Sequence, residues 1–361
     1  MSKNGKILVA MSGGVDSSVA AMLLHEQGYD VIGITMKVWD YASFGGTTKE
    51  TGCCSLDSIN DARYLAVQLG FPHYILDLRE DFEKHVISNF ISEYKNARTP
   101  NPCVLCNTHI KWEALLRKAD MLDCEFIATG HYAFINQLQD RFYISKGNDE
   151  IKDQSYVLWG LTQQSLSRTM FPLNIYSKTE IKEMALNSGY DAIAKKSESY
   201  EICFIPDNDY RGFLKRRVDD FDAQFPEGNF VDKNGKILGK HKGLPFYTIG
   251  QRKGLDIAMG VPYYVVDIKK STNEVVLGEK EALYSDSTEL IGVNLHKYAE
   301  ITDGMDVLVK VRYKDPGTAA KLFNKNGGIE VVFNNPVSAI TPGQSAVFYE
   351  GKDIIGGGFI R

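Results

Sequence analysis

The sequence predicts an α/β chain: a doubly wound parallel sheet in its N-terminal part, a small mostly β central domain and a C-terminal β-barrel. Three observations carry this expectation. Short apolar runs alternate with helical patterns through the first half of the chain. A glycine-rich turn joins the first strand to the first helix. After about Arg217 the helical period gives way to short strands separated by Gly, Pro or Asn.

Taken in order, Lys6–Ala10 is a buried strand, and a helix follows through Ala20, Leu23 and Leu24 to Gly28. Tyr29–Val38 is a second strand, rich in Val and Ile. A helix over Asp57–Gly70 ends at its glycine. His73–Leu78 is a third strand, Asp81–Asn96 and Lys111–Ala119 are helices, and Glu125–Thr129 is a fourth strand. Ser177-Lys178-Thr179-Glu180 is a capping box that opens a helix to Gly189. Beyond it, Asp232-Lys233-Asn234-Gly235 and Lys270-Ser271-Thr272-Asn273 are turns between strand pairs. Val307–Tyr313, Gly328–Phe333 and Gln344–Tyr349 are strands of a six-stranded type of barrel. The expected domains are residues 1–217, 218–278 and 279–361.

With 361 residues, 43% hydrophobic, the chain can bury a large core without covalent staples. No apolar run approaches the length of a membrane span, and the opening residues lack a signal-peptide core. A cytoplasmic enzyme is expected. The net charge of −5 argues against a general nucleic-acid coat but not against a local basic face. Six cysteines in a large chain without an export signal argue against a disulfide scaffold.

Ser12-Gly13-Gly14-Val15-Asp16-Ser17-Ser18 lies on the first strand-to-helix turn. Two glycines let the backbone approach a ligand, and the helix start offers unpaired N–H groups to an anion. Asp16 is placed to hold Mg²⁺ beside phosphate. The motif has no P-loop lysine and is not G-x-G-x-x-G; it is similar to the pyrophosphate loop of enzymes that cleave ATP between its α and β phosphates. Met36 and Thr129-Gly130-His131 end their strands on the same sheet edge, where ligands bind.

Thr99-Pro100-Asn101-Pro102-Cys103-Val104-Leu105-Cys106-Asn107 reads as a proline-stiffened loop ahead of the Lys111 helix, whose N-terminus favours a Cys106 thiolate. Cys203 lies far along the chain in an apolar run, where a buried core thiol is the competing reading. Cys103-x-x-Cys106 with Cys203 also admits a metal or iron–sulfur site. Cys53, Cys54 and Cys124 read as structural or incidental. Lys195, Lys196, Arg211, Lys215, Arg216, Arg217, Lys240, Lys242, Arg252 and Lys253 form a basic region interleaved with Tyr200, Phe204, Tyr210, Phe213 and Tyr247, a pattern suited to unpaired RNA bases.

These motifs resemble those of the bacterial tRNA-specific 2-thiouridylases over nearly the whole chain. The matching segments are Ser12–Ser18, Asn101–Asn107, Gly189–Ile205, Ala128–Tyr132, Lys152–Tyr156, Thr248–Leu255, Val311–Tyr313 and Thr341–Gln344. The resemblance implies adenylation of the C2 oxygen of the wobble uridine in tRNAs for Lys, Glu and Gln. Sulfur would then come from a persulfide on Cys203, loaded by a sulfur-relay protein or cysteine desulfurase, with Cys106 as nucleophile closing a disulfide with Cys203. It implies ATP contacts from Ala10, Met11, Ser12, Gly13, Gly14, Val15, Asp16, Ser17, Met36 and Gly130. Contacts to tRNA would come from Asn101, Pro102, Cys103, His131, Lys152, Asp153, Gln154, Arg312, Tyr313 and Gln344. Cys103 stands where many members carry an aspartate acid/base, so a thiolate, a proton route elsewhere, and a cluster ligand are all open there. A small-molecule adenylating ligase, which would have no use for Cys106 and Cys203, and an RNA-binding module without catalysis are the alternatives.

Overall fold

The computed structural model describes residues 4–40, 55–196, 202–257 and 260–361. Cys53, Cys54 and Tyr200 lie outside the described residues. The chain divides into two compact units: residues 1–86, 103–208 and 352–354, and residues 87–102, 209–351 and 355–361.

The first unit is built on β1 (Lys6–Ala10), α1 (Val15–Glu26), β2 (Asp30–Lys37), α2 (Leu56–Leu69), β3 (His73–Asp77) and β4 (Phe126–Ala128). A hairpin of β5 (Ala133–Leu138) and β6 (Arg141–Lys146) follows, then β7 (Thr169–Met170). The main sheet runs β3-β2-β1-β4-β7, every pair parallel. The chain reverses its winding between β1 and β4, which opens a crevice at their carboxyl ends. Ile7 and Val9 of β1 pack with Val19 and Leu24 of α1 and with Ile181 and Ala185 of a later helix, Lys178–Asn187. Gly70 ends α2 in the left-handed conformation, as its sequence position indicates. The Ser177 capping box forms with both of its reciprocal bonds.

Two helical expectations change. Arg79–Phe82 and Ser88–Lys95 are α-helical but are joined by a π-helical Glu83–Ile87. The Cys106 region is not a loop. Pro102–Leu105 is α-helical, Cys106–Trp112 is π-helical, and α-helix resumes over Glu113–Met121. Pro102 starts this stretch because proline at a first helical position gives up only an N–H that has no partner there.

In the second unit, β8 (Gly228–Val231), β9 (Ile237–His241), β10 (Tyr264–Lys269) and β11 (Glu274–Gly278) form a sheet in the order β10-β11-β8-β9. The strands β12 (Tyr284–Leu295), β13 (Met305–Lys310), β14 (Thr318–Lys325), β15 (Gly328–Ser338), β16 (Ser345–Glu350) and β17 (Asp353–Ile360) follow the order β12-β15-β14-β13-β16-β17. Pairing of β12 with β17 closes them into a barrel. Val309, Leu322, Val331 and Phe348 fill it. The architecture is the one expected: a parallel α/β sheet, a small mixed sheet and a closed barrel.

The sequence pattern makes five aromatic residues of the basic region candidates for stacking on bases. Phe204, Phe213 and Tyr247 are instead buried. Tyr210 stacks on Tyr94 with ring centroids 5.0 Å apart, and Phe213 meets Phe90 edge-on. Aromatic rings carry a large apolar area, and a core claims it first.

Candidate active site

β1 delivers the chain into the crevice, and hydrogen bonds close the loop that follows. Ser17 Oγ accepts from Ser12 N at 3.0 Å and donates to Gly14 O at 3.1 Å. Gly14 is the N-cap of α1 and supplies no side-chain cap, so the first N–H groups of the helix have no side-chain acceptor from it. Gly13 has φ +69°, and a Cβ there would sit 2.0 Å from the Ser58 carbonyl oxygen of α2. Gly130, after β4, comes equally close: its Cβ would lie 2.7 Å from Ser17 N and from the Asp16 carbonyl carbon. The Gly130 backbone is therefore a wall of the loop.

Behind the loop, Thr35 Oγ1 donates to Met11 O at 2.7 Å. Having spent its one proton there, it accepts from His73 Nε2 at 2.8 Å. Burial pushes the His73 imidazole below its ordinary value, with Arg63 adding to the effect. Met36 stands near the end of β2.

Asp16, the loop's carboxylate, carries three hydrogen bonds. Lys178 Nζ donates to both of its oxygens at 2.6 and 2.7 Å, and Tyr132 OH donates to Oδ1 at 2.6 Å. Lys196 bonds Gly13 O at 3.1 Å and pairs with Asp61, so it is part of the loop's support rather than of an RNA face. Sequence reasoning missed Lys178 and Tyr132. One signal was available: a lysine at the first position of a helix opposes the helix dipole and needs a carboxylate from elsewhere.

Cys103, Cys106 and Cys203 all belong to the first unit, and none is in a disulfide. Cys203 is exposed, which removes the reading of a core thiol. The next residue, Phe204, is buried edge-on against Phe82 at 5.6 Å. One helical turn beyond Phe82, His85 stacks on His109 at 5.3 Å, and His109 lies one turn beyond Cys106. A single helical segment thus supports both thiol-bearing segments. Cys106 opens the π-helical stretch instead of preceding a helix at Lys111, so the expected N-terminal stabilisation of its thiolate does not arise in that way. Cys103 is exposed by surface area, the property that governs access to it. Desolvation by the surrounding protein nonetheless pushes its thiol up, with Lys111 pulling the other way. Among the described residues no group of three or more His, Cys, Asp or Glu side chains converges to hold a metal ion.

His131 is buried against Trp112 and Phe171, and its Nδ1 is 2.7 Å from Thr129 Oγ1. Burial pushes its imidazole well below the ordinary value, and Lys111 acts in the same direction. The folded protein therefore holds a neutral ring that the unfolded chain protonates. Stability from this group is full above pH 6.5, the ordinary histidine value. It falls by up to about 1.4 kcal/mol per pH unit below that. Urea denaturation at pH 7 and pH 5 should show a smaller acid loss for His131→Gln than for the unsubstituted chain. Equal losses would refute this.

Asp153 is buried and caps its own turn, accepting from Ser155 N and Ser155 Oγ at 3.0 Å each. Gln154 Oε1 accepts from Tyr132 N at 3.1 Å. Gln154 thereby ties this turn to Tyr132, whose hydroxyl bonds Asp16, and Lys152 beside it is half-buried. In the second unit, Gln344 Nε2 donates to Thr99 O at 3.1 Å and Pro100 O at 2.8 Å, and Asn101 Nδ2 donates to Ser345 Oγ at 3.3 Å. Gln344 so holds the Thr99–Pro100 segment of its own unit. Arg312, Tyr313 and Lys314 are consecutive exposed residues. Buried Asp315 ties their turn, accepting from Val311 N and Gly317 N at 3.0 Å each. Arg252 and Lys253 are exposed on a tip between Gly250 and Gly254, both of positive φ.

Three family models match in succession. They are described as a tRNA methyl transferase HUP domain over residues 5–207, a tRNA methyl transferase PRC-barrel domain over 211–279 and an aminomethyltransferase beta-barrel domain over 283–360. The chain is 59% identical to the tRNA-specific 2-thiouridylase MnmA of Amoebophilus asiaticus, over 99% of this chain and 96% of that one. It is 59% identical to the protein of the same name from Cytophaga hutchinsonii, over 100% and 98%. To that of Salinibacter ruber it is 54% identical, over 100% and 95%.

Proposed function

The chain belongs to the tRNA-specific 2-thiouridylase family, and we propose from that premise a two-stage reaction on a tRNA uridine. ATP is cleaved between its α and β phosphates, and AMP is placed on the C2 oxygen of the base. Sulfur then replaces the activated oxygen. The observation that carries this reading is an exposed Cys203 held on the same helical support as Cys106, in the unit that also carries the phosphate loop.

In the first stage the Gly13–Gly14 backbone and the start of α1 receive the phosphates. Asp16 is the residue that would hold Mg²⁺, whose role there is to neutralise phosphate charge; one carboxylate with substrate phosphates is the usual donor set for this ion. In the second stage the terminal sulfur of a Cys203 persulfide attacks C2, and the bond from C2 to the AMP-bearing oxygen breaks. Cys106, as thiolate, then attacks Cys203 Sγ. The bond from Cys203 to the transferred sulfur breaks, leaving its electron pair on the sulfur now attached to the base. A Cys106–Cys203 disulfide results, and an external thiol reduces it. A raised Cys103 thiol favours a neutral proton donor beside the base over a thiolate.

A cysteine desulfurase or a relay protein charged by one would supply the persulfide. The wobble uridines of tRNAs for Lys, Glu and Gln are the substrates. The test is mass spectrometry of unmodified tRNA incubated with the purified chain, ATP, Mg²⁺, cysteine and a desulfurase. 2-Thiouridine at the wobble position with one AMP released per sulfur is expected; AMP release without sulfur in the tRNA would overturn the scheme.

Arg312, Tyr313 and Lys314 are proposed tRNA backbone contacts, and Asp315 fixes the turn that presents them. Asp315→Ala frees two N–H groups and loosens that turn. It should weaken tRNA binding about fivefold, the order expected from losing one or two phosphate contacts, and leave ATP affinity unchanged. Unaltered tRNA affinity in a filter-binding titration would exclude the assignment.

A further inference from the structure

β3 is the end strand of the parallel sheet, and among the described residues its outer edge meets no other strand. Its inner edge is settled by two bonds. Pro72 O accepts from Gly33 N at 2.8 Å, and Leu78 N donates to Lys37 O at 2.9 Å. Main-chain groups alternate sides along a strand, so Tyr74 and Leu76 also turn theirs to β2, while His73, Ile75 and Asp77 turn theirs outward. The side chains at this edge are apolar and open: Tyr74 is 47% exposed and Ile75 45%. Val67 of α2 is 71% exposed and lies one helical turn from Arg63, whose charge reaches His73, so the flank of α2 beside β3 carries apolar surface too. Edge strands that face water are usually guarded by lysine, proline or a bulge. His73-Tyr74-Ile75-Leu76-Asp77 has none of these.

We propose that this edge pairs with the same edge of a second copy of the chain, antiparallel about a two-fold axis at Ile75. The occupant follows from the register. Centred on Ile75, the pairing sets Ile75 against its own counterpart, His73 against Asp77 and Tyr74 against Leu76. All three outward-turned residues then fall in hydrogen-bonded pairs, and each outward N–H and C=O finds a partner. A shift of the axis by one residue would leave His73 or Asp77 outside the pairing. The same operation makes apolar cross-strand pairs of Ile75 with itself and of Tyr74 with Leu76. Such an interface closes at two copies, and it does not rest on the sulfur chemistry. A five-residue ladder with these flanks is at the small end of specific interfaces, so association is expected at about 10–100 µM.

Sedimentation equilibrium of the full chain across that range, without tRNA, should show monomer in exchange with dimer. Ile75→Lys and Ile75→Glu each set like charges against each other at the axis and should weaken the dimer about tenfold or more. Mixed in equal amounts, the two should recover part of the association, because the residue at the axis faces its own counterpart. Where circular dichroism shows a charged variant unfolded, Ile75→Pro replaces it. It deletes the outward N–H, which β2 does not use, and should weaken the dimer to the same degree. An unsubstituted chain that sediments as a monomer throughout overturns the proposal, whether its edge is bare or covered from within the chain. So does a dimer that the folded variants leave at its original strength, which would place the contact on another face. A mixture no tighter than its components would overturn the axis at Ile75.

Discussion

Cys203→Ser should abolish tRNA thiolation while leaving tRNA-dependent release of pyrophosphate from ATP near its original rate. Serine keeps the size and exposure of the side chain but cannot carry a sulfane sulfur, so the loss is of the reaction itself and not a weakening of binding. A fall of about a thousandfold or more is expected, the scale on which removal of a covalent nucleophile acts. Cys203 is exposed and Phe204 beside it supplies the buried anchor, so the substitution should leave the fold intact. Cys106→Ser should differ in kind. It should permit one attack on the activated base and stop with tRNA joined to the protein through Cys203, visible as a species cleaved by dithiothreitol. Thiolation that survives in Cys203→Ser would remove this residue from the sulfur path.

Gly130→Ala should eliminate nucleotide binding. The added methyl would lie 2.7 Å from Ser17 N and from the Asp16 carbonyl carbon, both backbone atoms, so no side-chain rotation can relieve it. The loop must move, and with it the start of α1 and the carboxylate of Asp16. ATP affinity should fall about a hundredfold or more, since misplacement by an ångström is enough for losses of this order. Binding of tRNA, which relies on other surfaces, should change little. Gly189→Ala is the control: its φ of +81° strains any side chain, as the Gly130 backbone does not, but nothing lies within 4 Å of its Cβ. Its cost should be confined to about 1 kcal/mol of stability. Equal ATP affinities for the two variants would refute the wall assigned to Gly130.

The parallel sheet, the phosphate loop and the barrel were legible because each rests on local pattern: apolar runs of strand length, a double glycine between strand and helix, and turn residues at short intervals. The β5–β6 hairpin was not legible. Its turn places Gln139 at φ +55°, where Gly or Asn is the usual marker, so the strands lack their punctuation. β7 is two residues long and leaves no period to read. The helix at Pro102 was hidden for a different reason: proline stops a helix from within but suits its first position, and sequence alone does not say which side of the boundary it occupies. At the site, loop and cysteines stood out by residue type. The roles of Gln154 and Gln344 in bracing other segments depended on partners distant in the chain, as did that of Lys178.

The ring contacts from Phe82 to Phe204 and from His85 to His109 have a mechanical consequence. Two reactive groups carried on separate struts drift apart whenever either strut moves. Here both thiol-bearing segments pack on one strut, so under the proposed chemistry a displacement of that strut would carry both sulfurs in the same direction.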